Sequence, residues 1–174
     1  MSMILEGIRI IDWTVQQLGP VSTAMLGDLG ADVIKIEQRG VGDPSRGMDR
    51  FGGVPTMLPN GHSVVYEAVN RNKRGISVDL KKEEGREIVY RLVKDADVFV
   101  QNFRTGVAAR MCLDYQTLSK INPRLIYASG SGFGPKGPDV MFGAGLADAY
   151  AAITADSAPV ASAVPLPVSR VSTG

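Results

Sequence analysis

The first forty residues constrain the fold more than any other part of the chain. Ile8 to Asp12 (IRIID) is a short β-branched run, a polar loop and Gly19-Pro20 follow it, and Val21 to Leu29 reads as a helix. Proline suits a first helical position, and Gly30 suits the cap beyond the last turn. Asp32 to Glu37 (DVIKIE) then returns to strand character. Strand, helix and strand in so short a span predict a βαβ unit, whose two strands run parallel because the helix carries the chain back over the sheet. The alternation continues downstream. Gly75 to Leu80 (GISVDL) reads as a strand, and Lys82 to Ala96 sets Ile88, Leu92 and Val93 among charges at the period of an amphipathic helix. Val98 to Val100 reads as a short buried strand, Tyr115 to Lys120 as a helix ending near Asn122-Pro123, and Leu125 to Ser129 as one more strand. The whole pattern predicts an α/β fold with a mainly parallel sheet.

Two stretches break the alternation. Gly40 to Gly61 holds six glycines and three prolines with no fixed apolar period, which predicts a long loop or an active-site flap. From Ala155 to Gly174, fifteen of twenty residues are Ala, Ser, Val or Pro, and Pro159, Pro165 and Pro167 prevent a single helix there. This reads as a tail, so the organisation expected is one domain over residues 1–154 followed by a tail over 155–174. The chain of 174 residues is long enough to bury one core.

Charge and residue counts exclude several functions. Nineteen basic against eighteen acidic residues leave a net charge of +1, so no global field would hold the chain on a polyanion and a dedicated nucleic-acid binder is not expected. No apolar run approaches the roughly 20 residues that span a bilayer, and MSMILEGIR lacks the pattern of a signal peptide. A soluble, cytoplasmic protein without a membrane partner is expected. The single cysteine, Cys112, excludes an internal disulfide and cysteine-cluster metal sites, and the single histidine, His62, excludes sites that need two imidazoles. No metal site is expected.

Ligands of α/β folds bind at the carboxyl ends of the strands, which points to the loops after Asp12 (WTVQQLGP) and after Val100 (QNFRTG). Neither contains GxGxxG. Glu37 imitates the acidic residue that binds ribose in dinucleotide folds, but without the glycine fingerprint a solvated strand end is the plainer reading. Phe103 with Arg104 and Arg110 offers a ring to stack on and cations for an anion, on a loop leading to a short helix near Gly106. Arg71, Lys73 and Arg74 form a second basic cluster ahead of Asp79 and Lys81. Taken alone it reads as solvated surface, whereas two clusters on neighbouring strands would suit a multiply phosphorylated ligand. Cys112 reads as a packed thiol, Trp13 as pocket wall or core, His62 as a surface imidazole, and Met57 with Leu58 as an exposed flap or a partner contact.

The pieces LEGIRIIDWT, GP-x5-LGDLGADVIKIEQRG-x-GD, NRNKRGISVDLK, ADVFVQNFRTGVAARM and INPRLIYASGSGFGPKGP, in this order, resemble the N-terminal portion of class III coenzyme A transferases. That group includes formyl-CoA transferase, carnitine CoA-transferase and the α-methylacyl-CoA racemases. The resemblance covers about residues 4 to 138 and implies a partial Rossmann-like CoA-binding domain in a chain shorter than its family, whose full-length members form interlocked homodimers. It implies an acyl-CoA and a small carboxylic acid as substrates, with no tightly bound cofactor. Gln17 matches an active-site glutamine. Arg39, or its neighbour Gln38 where formyl-CoA transferase has arginine, matches a position near the adenosine phosphates. Val78, Leu80 and Lys81 match a strand end lining the adenine and phosphate region, and Asn102, Phe103, Arg110 and Met111 match the loop and helix that enclose CoA. Asp148 in LADAY best matches the catalytic aspartate, with Ala147 in place of the usual glycine, and Asp139 is the rival position. The segment between GFGPKGP and this motif is shorter than the family's, so weak or absent activity is expected of this chain.

The resemblance implies transfer of CoA through acylation of the aspartate. Two alternatives accompany it. The racemase branch uses an Asp and a His just beyond GFGPKGP, where this chain has no histidine. The other is a non-catalytic fragment that at most binds CoA.

Overall fold

The computed structural model describes residues 2–130. Five strands form one fully parallel sheet: β1 (Arg9–Trp13), β2 (Asp32–Gln38), β5 (Lys73–Val78), β6 (Val98–Gln101) and β7 (Ile126–Ser129), in the order β5-β2-β1-β6-β7. Register places Ile11 beside Ile34 on one side and beside Phe99 on the other. The expected α/β architecture is present, Rossmann-like in strand order. Because β2 and β5 build outward from one side of β1 while β6 and β7 build from the other, the order reverses between β1 and β6. The loops leaving these two strands diverge and leave a crevice at their carboxyl ends.

Helices cover both faces. α1 (Leu18–Asp28) and α2 (Val64–Asn70) pack together on one, and α3 (Glu83–Lys94) and α5 (Tyr115–Ile121) on the other. The larger core lies under α3 and α5, where Ile11, Ile34, Ile36 and Phe99 meet Val89, Val93 and Leu118. The side chains of Val89, Val93, Phe99 and Leu118 are fully buried, each contributing about 1.5–3 kcal/mol. Alternate residues of the same strands, Ile10, Val33 and Val100, form a smaller cluster on the opposite face.

α1 starts earlier than the sequence suggests. Pro20 is its third residue rather than its first, and the first intrahelical bond comes from the next amide, Val21 N to Gln17 O at 2.8 Å. Proline therefore sits where no amide partner is needed. The other end is as expected: Gly30 adopts φ +102°, and the amides of Gly30 and Ala31 return to the carbonyls of Gly27 and Leu26 in a Schellman motif.

The strand expected at 75–80 runs instead over Lys73–Val78, and Asp79 and Leu80 leave the sheet. Gly85, on the first turn of α3, packs directly against the Asp79 carbonyl, and a Cβ there would collide with that backbone. Gly85→Ala is expected to lower stability by about 1–3 kcal/mol, the cost of overpacking, read as a shift in urea midpoint at unchanged slope.

The glycine-rich stretch is more structured than a loop. It contains a 3-10 turn (Pro44–Gly47) capped by Asp43 and a small hairpin of β3 (Arg50–Phe51) and β4 (Val54–Pro55). Its Met57 and Leu58 are exposed. Cys112, expected to be packed, is exposed at φ +55°, following the four-residue helix α4 (Val107–Arg110). Among the described residues no helix is long and apolar enough to cross a membrane. Asp139, Asp148 and the segment 155–174 lie outside the described residues.

Candidate functional site

A cavity of about 320 Å³ opens at the switch point. The ends of β1, β2 and β5, the segment 41–44 and the loop and helix after β6 contribute to its wall. Six of the residues singled out through the resemblance line it: Gln38, Val78, Leu80, Lys81, Phe103 and Met111. Trp13 also lines it, so it is wall and core at once: the residue is only 6% exposed and its ring lies 4.3 Å from that of Phe103. The wall is largely apolar with Lys81 exposed at its edge, suited to a flat, partly apolar ligand with an anionic end.

The other predicted residues among those described, Arg39, Arg110, Asn102 and Gln17, do not line this cavity. Arg39 lines a shallower depression that shares Val78 and Asp79 with it. Arg110 is exposed at the end of α4, between the cavity-lining residues Val107 and Met111. Asn102 turns to the neighbouring loop: its Oδ1 accepts from Val15 N at 2.9 Å and its Nδ2 donates to Val15 O at 2.8 Å. Gln17 caps α1 by its backbone alone, and its half-buried side chain makes no capping bond.

Glu37 lines the cavity and is not a solvated strand end. It is buried, its Oε2 accepts from Arg46 Nε at 2.7 Å and from Asp43 N at 2.9 Å, and its Oε1 accepts from Arg46 Nη2 and from the Tyr66 hydroxyl at 2.8 Å. The Arg46 guanidinium also lies 3.8 Å from the Tyr66 ring centroid. Burial alone would raise the carboxyl pKa, but the bonds from Arg46 and Tyr66 outweigh it and hold Glu37 at about 2. A depressed carboxylate pKa stabilises the fold above the unfolded-state value and ceases to do so as pH falls through the folded value. Acid titration followed by circular dichroism should therefore show this contribution, about 3 kcal/mol, lost between roughly pH 4.5 and 2, and absent from Glu37→Gln.

The basic cluster at 71–74 does not face the cavity. It lies at the start of β5, the opposite end of that strand from the cavity-lining Val78, and its members are paired. Arg71 and Asn72 bond Asp28, Arg74 bonds Asp32, and Lys73 Nζ donates to Asp12 Oδ2 at 2.9 Å. β5 and β6 are not neighbours either, so the idea of two cationic clusters converging on one phosphorylated ligand is overturned. Lys35 repeats this behaviour: it is 1% exposed, with Nζ 2.9 Å from both Thr14 O and Asp43 Oδ2. The Asp43 contact lies off the hydrogen-bonding direction, so this is a Coulombic pair and Oδ2 accepts no directed bond among the described residues. The sequence signal for these pairs was a charged residue set into an otherwise apolar run of a strand covered on both faces, as in IRIID and DVIKIE.

A Rossmann-like sheet with an aromatic-walled cavity at its switch point puts the candidate site where α/β folds of this class take their ligands. Comparison with known proteins narrows this. The sequence profile described as CoA-transferase family III matches residues 5–155, and the chain belongs to that family. A formyl-CoA:oxalate CoA-transferase of Afipia carboxidovorans is 44% identical over 135 residues, which are 78% of this chain and 30% of that protein. An acyl-CoA transferase of Fusarium pseudograminearum is also 44% identical, over 77% of this chain and 30% of its own length. The crystal structure of a CAIB/BAIF family protein from Brucella suis superposes with a TM-score of 0.69 at 39% identity, over 79% of this chain and 36% of that one. The chain thus spans about 30% of the length of the curated relatives it matches.

Proposed function

We propose that this chain supplies the CoA-binding part of a transferase that moves coenzyme A from an acyl-CoA to a carboxylic acid through an acylated aspartate, Asp148. The observation that carries the reading is the switch-point cavity. Trp13 and Phe103 wall it side by side, Lys81 stands at its edge, and Arg39 and Arg110 flank it. The rings and aliphatic wall suit an adenine, and the three cations suit the phosphates of CoA.

In this reading a carboxylate oxygen of Asp148 attacks the thioester carbonyl, the C–S bond breaks, and CoA leaves as thiolate from a mixed anhydride. The thiolate then attacks the aspartyl carbonyl, releasing the first acid and leaving an aspartyl-CoA thioester. The acceptor acid runs the same two steps in reverse and departs as its CoA ester, restoring Asp148. Gln17, at the start of α1, offers a side-chain amide to the oxyanions formed on the way. Water has to be kept from the anhydride, which it would hydrolyse. The racemase alternative gains nothing from His62, whose imidazole is exposed and paired with Glu67 at 2.9 Å.

Calorimetry with CoA tests the binding half of this reading. Arg110→Glu is expected to weaken CoA by about 1–3 kcal/mol, roughly five- to 150-fold in Kd, the range for hydrogen bonds to a charged group. Equal affinity in the two proteins would remove Arg110 from the site, and no heat from the unaltered chain would remove the site itself.

A further inference from the structure

The loop between β1 and α1 is held by side chains from elsewhere in the fold. Lys35 of β2 donates to the Thr14 carbonyl at 2.9 Å, Asn102 bonds both backbone groups of Val15, and Asp43 Oδ1 accepts from the Gln16 amide at 3.3 Å. Three successive residues are thus fixed by three different segments. The next residue is Gln17, whose carbonyl is already tied to Val21 N of α1. Gln16 sits at φ +67°, a conformation that residues other than glycine rarely adopt, so the turn persists only if something external holds it.

Asp43 is the member of this set that connects the loop to the rest of the cavity wall. Its Oδ1 also accepts from the amide and hydroxyl of Ser45, at 2.9 and 2.7 Å, and its own amide donates to Glu37 at 2.9 Å. Glu37 in turn is clamped by Arg46 and Tyr66. A chain of bonds therefore runs from Tyr66 on α2 through Glu37 and Asp43 to the backbone immediately before Gln17. Asp43 is 2% exposed and Gln16 is exposed, so any protection of the Gln16 amide would come from this bond rather than from general burial.

We infer that Asp43 is a positioning residue: by accepting from the Gln16 amide it latches the β1–α1 loop to the cavity wall and fixes where Gln17 presents its side-chain amide. This rests on the role given to Gln17 above, but the latch itself is a property of the ligand-free chain. It acts through the acceptor oxygen, and the charge of Asp43 serves the separate purpose of neutralising Lys35. Those two functions are separable by substitution.

The test uses backbone 15N relaxation and amide exchange on the full chain without ligand. Both substitutions are made together with Lys35→Met, so that no lysine charge is left buried alone. Lys35→Met/Asp43→Asn keeps an oxygen for the Gln16 amide and is expected to hold the Gln16 and Gln17 order parameters near those of the unaltered chain, about 0.85. Lys35→Met/Asp43→Ala removes the oxygen, and the same two order parameters should fall below about 0.6 while β1 and β2 stay rigid. In the unaltered chain, which needs no substitution to fold, the exposed Gln16 amide should exchange at least about tenfold slower than an unbonded amide. Both variants lack the Lys35 bond to the Thr14 carbonyl, so the latch is read from the difference between them: equal loop order in the Asn and Ala variants would overturn it, as would fast exchange at Gln16 in the unaltered chain. A CoA titration on the same spectra reports separately: no shifts at Lys81 or Phe103 would sink the CoA reading and leave the latch standing.

Discussion

Replacing Asp12 with alanine is expected to lower the unfolding free energy by about 3–5 kcal/mol, the cost of breaking a buried ion pair from one side. Asp12 and Lys73 meet at 2.9 Å with side chains that are 0% and 2% exposed. Asp12 also accepts from the hydroxyls of Thr14 and Thr23, so three donors lose an acceptor at once, although Thr23 keeps the carbonyls of Gly19 and Pro20 within reach. Lys73 keeps bonds to the Pro20 carbonyl and Asn70, but neither carries a charge to offset the ammonium. Burial already pushes the Lys73 pKa down, and Asp12 opposes that push. Without Asp12 the folded-state pKa falls further below the unfolded one, so the unfolded chain binds more protons in the alkaline range. Stability of Asp12→Ala should therefore recover as pH rises toward the ordinary lysine value, the reverse of what a lost surface contact would do. Since a domain of this kind is stable by about 5–15 kcal/mol, the loss at neutral pH is large enough to read in urea. Asp12→Asn combined with Lys73→Met removes both charges and should regain most of the deficit. If Asp12→Ala unfolds within about 0.5 kcal/mol of the unaltered chain, the pair is not a buried one.

This pair also shows where the sequence stops being legible. The strands stood out because a parallel sheet is covered on both faces, so IRIID, DVIKIE and VFV read as near-continuous apolar runs. The same double burial hid the meaning of Asp12, Lys35 and Glu37. At alternate positions they look like the solvent face of a strand, yet α1 and α2 cover that face and each charge is paired inside. Helix α2 was not foreseen, because VVYEAV begins with β-branched residues whose local preference is for strand; packing of Val65 and Val69 decides it. Cys112 was misjudged because the turn after α4 places it at positive φ on the surface, a geometry no neighbouring residue announces.

Legibility of the site divides along similar lines. Val78, Leu80, Lys81 and Met111 were identifiable through the resemblance to class III CoA-transferases, and Phe103 also through its place in the loop after β6, at the crevice of a doubly wound sheet. The role of Asp43 was not, since its partners Lys35, Ser45 and Gln16 include residues far apart in sequence and its only local sign is Gly-Asp-Pro. The run 71–74 misled for the converse reason: clustered charges in sequence were distributed to separate acids in space, Asp28, Asp12 and Asp32.

The largest effect on chemistry is expected at Asp148. If a carboxylate there is the nucleophile, Asp148→Ala should abolish whatever CoA exchange between two acids this chain supports, however weak, because the acyl group then has no carboxylate to form the anhydride with. The intermediate can be caught directly. Incubating the unaltered chain with an acyl-CoA and hydroxylamine should convert Asp148 to a hydroxamate, since hydroxylamine attacks the activated aspartyl carbonyl and displaces either CoA or the acyl carboxylate. Peptide mass analysis would then show the change on one residue. Asp139→Ala serves as the contrast: its exchange and trapping should match the unaltered chain. A hydroxamate at Asp139 with none at Asp148 would move the nucleophile to the earlier position. Incorporation of solvent deuterium at the α-carbon of a branched acyl-CoA, without movement of CoA, would replace transfer by racemisation. Binding of CoA with neither reaction would leave this chain as a cofactor-binding portion whose chemistry depends on protein outside these 174 residues.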